Sequence, residues 1–159
     1  MKIYFAHPCF TEEQRDFKTR FLNLLKSALS KTPYGGEITI IDPFEHTPNI
    51  EGNSALKTEM AEYIKTECIR LLEESYLVIA LVDYNDTGVA FGAGYAHAVN
   101  KPVILISTGE CSQANAMLLG SAKGIISNIL DDEQIKRLTS LILFFYGTYK
   151  ASRKRPEFN

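Results

Sequence analysis

Cysteine is scarce in this sequence, and its three copies are scattered. Cys9, Cys68 and Cys111 form no C-x-x-C pair. That argues against a disulfide framework or a cysteine-based zinc site and for a reducing, cytoplasmic setting. Neither sign of charge dominates: 17 basic and 19 acidic residues leave a net charge of −2. Bulk nucleic-acid binding and membrane-surface binding by charge alone are thereby disfavoured. No apolar run approaches the roughly 20 residues of a bilayer span. The basic-then-apolar pattern of a secretory leader is missing from the amino terminus, so no membrane partner is expected. Internal repeats and linker-like stretches are missing as well. What remains is a chain of 159 residues, 45% hydrophobic, which fits one domain with one core. The reading places that domain at residues 1–149 and a basic tail at 150–159.

Apolar and polar residues then alternate in blocks. Ile3–Ala6 is short and β-favouring, a buried first strand. Thr11 and Gln14 match a capping box that opens a helix, with Phe17, Phe21, Leu24, Leu25 and Leu29 at helical spacing. Tyr34-Gly35-Gly36 is read as its stop. Ile38–Ile41 is a second strand, and Phe44–Asn53, with Pro48 and Gly52, a loop. Leu56, Met60, Ile64, Cys68, Ile69 and Leu72 mark one face of a long helix. Leu77–Val82 is a fully apolar third strand. The stretch "DTGVAFGAGYAHA" starts the next helix, expected to end at Asn100. Val103–Ser107 is a fourth strand, Ala114–Leu119 a short helix, Gly124–Ser127 a fifth strand, and Asp131–Phe145 a final helix.

Strands apolar on both faces, alternating with amphipathic helices, indicate an α/β fold: a five-stranded parallel sheet in a three-layer, Rossmann-like sandwich. Ligands of such sheets bind beyond the carboxyl ends of the strands. That rule points to His7–Phe10, Asp42–Thr47, Asp83–Gly88 and Thr108–Asn115.

Asp83, Asp86 and Gly88 lead from the third strand into a helix whose free N–H groups suit a phosphate, a carboxylate or a sugar hydroxyl. The plainer alternative is that Asp86 or Thr87 only caps the helix. The spacing is not G-x-G-x-x-G, so a nicotinamide cofactor is disfavoured, and no cofactor is expected. Gly92 and Gly94 each cost about 1 kcal/mol against alanine inside a helix. Either something approaches the backbone there, or the helix packs tightly on the sheet.

"KIYFAHPCFTEEQ", "DTGVAFGAGYAHAVNKPVIL" and "ANAMLLG" together resemble segments of the nucleoside 2-deoxyribosyltransferase family. The resemblance spans Lys2 to Gly120. It implies a flavodoxin-like fold, a nucleoside or nucleotide ligand, and exchange of bases on 2-deoxyribose. In that chemistry a glutamate attacks the anomeric carbon and an acid protonates the departing base. By the resemblance, Tyr4 matches a tyrosine that orients the nucleophile, and Asp86 an aspartate that holds sugar hydroxyls. Glu67 falls where the family handles the base proton. Asn115 and Met117 match residues lent to a neighbouring subunit, which implies a homo-oligomer.

Gly92 departs from the family: it stands at the position of the nucleophilic glutamate. A nucleoside- or nucleotide-binding protein impaired in glycosyl transfer follows, either a natural sensor or an inactivated variant. The alternative is an N-glycosidic transferase or hydrolase using Asp83, Asp86 or Glu67 instead. Beyond "FFYGTY", the basic Lys150, Arg153, Lys154 and Arg155 are either a solvated end or a phosphate clamp. His7, His46 and His97 are too scattered to ligate a metal, so no metal is expected. His7 and His46 flank the expected pocket, and His7 is placed to stack on a base or contact a phosphate. Phe10, Phe44 and Tyr84 are candidate stacking walls, and Cys9 lies beside them.

Overall fold

Side-chain alternation along the strands sorts the core onto two faces. On β1 (Lys2–Ala6), Ile3 and Phe5 face one way and Tyr4 and Ala6 the other. On β3 (Leu77–Leu81), Leu77, Ile79 and Leu81 share the first face, while Val78 and Ala80 share the second. On β4 (Val103–Ile106) the same split separates Ile104 and Ile106 from Val103 and Leu105. Both faces are buried, so helices must cover both. Adding β2 (Thr39–Ile41) and β5 (Gly124–Ile126) gives an all-parallel sheet of order β2-β1-β3-β4-β5. This is the flavodoxin-like topology, with its crossover reversal between β1 and β3. The computed structural model describes residues 1–48, 50 and 54–153.

One face is covered by α1 (Glu12–Ser30) and α5 (Asp132–Arg153), which contribute Phe17, Phe21, Leu25, Ile135, Leu138 and Ile142. The other is covered by α2 (Ser54–Glu74), α3 (Thr87–Ala98) and α4 (Ala116–Ser121). The two cores differ in residue size. The α1/α5 side is filled by Phe, Ile and Leu, whereas the α3 side holds Ala6, Ala80, Ala93 and Ala96. Small residues let α3 settle close to the sheet.

The capping box forms as expected. Gln14 N–H donates to Thr11 Oγ1 at 3.2 Å, and Gln14 Oε1 accepts from Thr11 N–H at 3.1 Å and Phe10 N–H at 2.7 Å. Boundaries shift elsewhere. α1 ends at Ser30, before Tyr34-Gly35-Gly36, with Thr32 closing its last turn onto Leu29 O through both N–H and Oγ1. α3 ends at Ala98, and Asn100 takes a left-handed φ of 59° that returns the chain to β4. α5 continues beyond Phe145 because its buried phase continues to Tyr146, whose hydroxyl donates to Glu37 at 2.5 Å. Within the expected loop from Phe44, residues 43–45 form a 3-10 turn. Gly52, Asn53, Lys154 and Arg155 lie outside the described residues. Among the described residues, no helix is long and apolar enough to cross a membrane.

Tight packing does not explain Gly94: a Cβ there would meet nothing within 4 Å. Replacing Gly94 by Ala should therefore raise the unfolding free energy by about 1 kcal/mol, read from the urea midpoint. An unchanged or lower midpoint would mean that something outside this chain contacts that side of α3.

Candidate functional site

The carboxyl end of β1, the turn after β2, one side of α2 and the first turns of α3 enclose a cavity of about 360 Å³. Ala6 leaves room above the sheet, and the small face of α3 leaves room beside it. Tyr4, His7, Phe10, Phe44, Asp86, Gly88 and Gly92 all line this cavity, so seven of the twelve residues expected to form the site converge. Phe10 is positioned by its N–H bond to Gln14, and its ring meets Phe44 edge-on at 5.7 Å.

Asp86 combines the two roles weighed for it. Its Oδ1 accepts from Val89 N–H at 2.8 Å as the α3 N-cap, and the same side chain borders the cavity. Gly92 is buried, yet a Cβ there would meet only Leu72 Cδ1, at 3.9 Å. That is ordinary contact, so the position accepts a side chain.

His7 is fully buried under the cavity wall, stacked on Phe5 at 4.3 Å. Its Nδ1 lies 2.9 Å from Pro8 O and its Nε2 3.1 Å from Asp42 Oδ1. A carbonyl and an ionised carboxylate only accept, so both contacts are hydrogen bonds when the ring carries two protons. The ring is thus committed to framework contacts, and neither nitrogen is left for a ligand. Asp42 also accepts from Lys18 Nζ at 3.1 Å and Phe44 N–H at 3.0 Å. Burial pushes the Asp42 carboxyl up, but His7, Lys18 and the Phe44 N–H outweigh it and bring it down to about 2. Burial raises the Tyr4 hydroxyl and the Cys68 thiol beside it, so neither supplies an anion at neutral pH.

The remaining expected residues lie elsewhere. Glu67 precedes the lining residue Cys68 by one position, a turn of about 100° around α2. It pairs with Arg70 at 2.5 Å instead of lining the cavity. His46 ends the 3-10 turn and is exposed outside the cavity. Asp83 turns toward β4, accepting from Ser107 Oγ and, at 2.9 Å, from Thr108 N–H in a separate polar cleft. Asn115 caps α4 through Met117 N–H at 2.8 Å, and Met117 is 80% exposed. Neither lines the cavity of its own chain. Tyr84 packs on the α1/α5 side, 3.4 Å from Glu13, because alternation carries it to the opposite face. Cys9 and His97 are not in the wall either. Lys150 pairs with Glu37 at 3.0 Å, beside Met1 and the amino end of β2. Lys150 and Arg153 therefore lie at the opposite edge of the sheet and cannot clamp a phosphate in their own chain's cavity.

The wall supplied by α2 was not anticipated. Lys57, Ala61, Ile64, Lys65, Cys68 and Ile69 border the cavity. Their spacing is helical, but the face resembled an ordinary core stripe. Only Leu71 and Leu72 of α2 are buried.

A family model described as nucleoside 2-deoxyribosyltransferase matches residues 3–133. No curated protein matches the chain. Among solved structures, a 2-deoxyribosyltransferase from Bacillus psychrosaccharolyticus is similar at 25% identity and TM-score 0.63, over 86% of this chain and 90% of that one. A conserved protein from Enterococcus faecalis V583 shares the fold at 19% identity and TM-score 0.65, over 89% and 98% of the two chains. So does a CMP N-glycosidase from Clostridium botulinum, at 15% identity and TM-score 0.54, over 89% and 99%.

The Asp42 network has a pH signature. Its carboxyl is near 2 folded against 3.8 ordinarily, so its contribution is complete above about pH 4 and disappears as pH falls through 2. That contribution is about 2 kcal/mol. Asp42→Asn should lower stability at pH 7 by about 3 kcal/mol and flatten the loss between pH 5 and 2. Urea unfolding across that range checks it; parallel profiles for the two proteins would refute the assignment.

Proposed function

The chain belongs to the nucleoside 2-deoxyribosyltransferase family, and from that membership we propose that its cavity holds a nucleoside or nucleotide but exchanges bases poorly. The observation that carries this reading is the joint presence of Tyr4, Asp86 and Gly92 around one cavity. The sugar sits against Asp86 and the first turn of α3. Gly92 occupies the place of the family's attacking glutamate and offers no oxygen to the anomeric carbon. Binding groups persist when a nucleophile is missing, while most of the rate goes with it. Phe10 and Phe44 flank the base. Asn115 and Met117, exposed and outside their own cavity, serve the cavity of a second copy.

A second reading follows from Asp86, the one carboxylate among the described cavity residues. Its Oδ1 is taken by the cap, and Oδ2 remains to accept a proton from water. Water oxygen would then bond to the anomeric carbon as the N-glycosidic bond breaks, with the base leaving protonated by solvent. This is hydrolysis, not exchange.

Incubation with deoxyinosine and free adenine separates the two readings. The expected result is calorimetric binding with exchange near the enzyme-free rate, and a rise of about tenfold or more in Gly92→Glu, a substitution for which the site has space. Free hypoxanthine released by the parent protein, and abolished by Asp86→Asn, would replace the first reading with the second. Absence of binding to any nucleoside or nucleotide would defeat both.

A further inference from the structure

Charge is sorted around α2. Lys57 and Lys65, both exposed, border the cavity, whereas Glu59, Glu62 and Glu67 do not line it. Glu62 is three residues from Lys65, a spacing that favours an ion pair, yet no such pair forms. Neither lysine makes a hydrogen bond or ion pair among the described residues. Of the other ionisable groups in the wall, His7 is tied to Asp42, and Asp86 caps α3. Among the described residues, the cavity is therefore bordered by two uncommitted cations and one partly committed carboxylate.

Their spacing is specific. Eight residues separate the two Cα atoms by about 12 Å along the helix, and each four-carbon stem spans about half of that. Ala61 lies midway between them and has no side chain beyond Cβ. An anion above Ala61 is within reach of both ammonium groups. An uncharged nucleoside would leave both lysines without a partner.

Resting on the nucleoside or nucleotide reading above, we infer that the preferred ligand is a nucleoside monophosphate, its phosphate held over Ala61 by Lys57 and Lys65. The two lysines select the phosphorylated form, and the aromatic pair and Asp86 hold the base and sugar.

Calorimetric titration of the full chain with the four deoxynucleosides and their 5′- and 3′-monophosphates tests this. At least one monophosphate should bind about tenfold tighter than its nucleoside at about 0.05 M salt, with the gap narrowing at about 0.5 M. In K57A/K65A the ratio of the two affinities should fall to about one. The K57R/K65R variant should keep the preference. Alanine suits an exposed helix position, and circular dichroism confirms folding of each variant. Equal affinities for the two forms in the parent, or a preference that survives K57A/K65A, would overturn the lysine assignment and leave the nucleoside-binding reading standing. Failure of every nucleoside and monophosphate to bind would overturn both.

Discussion

A buried carboxylate holds the floor of the cavity in place. Asp42 follows β2, and its oxygens gather His7 from the end of β1, Lys18 from α1 and the Phe44 N–H of the next turn. Three segments that are distant in sequence are thereby fixed around one anion. Removing a carboxylate from water is expensive, and it is tolerated where opposite charges and donors surround it. The Lys18 ammonium, the His7 ring and a backbone donor do so here. Phe44 is fixed by its own N–H, and Phe10 by Gln14. The aromatic pair of the cavity mouth is therefore positioned by polar bonds behind it.

The second constraint is the inequality of the two sheet faces. The α1/α5 side is packed with large side chains. The opposite side substitutes alanine at positions 6, 80, 93 and 96, and α2 buries only Leu71 and Leu72. The upper part of α2 stands away from the sheet, and the space between it and α3 is the cavity. The topology places this gap at the reversal between β1 and β3, where α/β sheets bind ligands. Sheet order and residue size thus select the same place.

Much of this was legible in the sequence because it depends on local patterning. The continuous apolar runs 77–82 and 103–107 identify central parallel strands, and Thr11 with Gln14 identifies a capped helix start. Asp86 is found in the cavity because it lies in a loop the sheet rule indicates, and Gly92 because it follows within the helix that starts there. What failed depends on direction rather than position. Glu67 is adjacent in sequence to a lining residue but rotated away from it. Asp83 and Tyr84 lie in an indicated loop, yet one turns to β4 and the other to the far face. His7 lines the cavity, and its partners Asp42 and Pro8 come together only in the folded chain. Lys57 and Lys65 were hidden by the expectation that ligands meet loops. The wall they stand on is helical, and its spacing is that of a core stripe.

These features bear on the proposal that the cavity binds its ligand without covalent chemistry. Forming a glycosyl intermediate requires an anion close to the anomeric carbon and able to advance toward it. The wall offers Asp86, whose Oδ1 is engaged by Val89 N–H, and the raised Tyr4 hydroxyl and Cys68 thiol, which stay protonated. Advancing Asp86 would uncap α3, at a cost of about 1 kcal/mol, and would draw it away from the sugar hydroxyls it is proposed to hold. A carboxylate at position 92 would carry neither penalty, because that position lies inside the helix and faces free space past Leu72. Position 92 is thus a place in the cavity lining with space for a side chain.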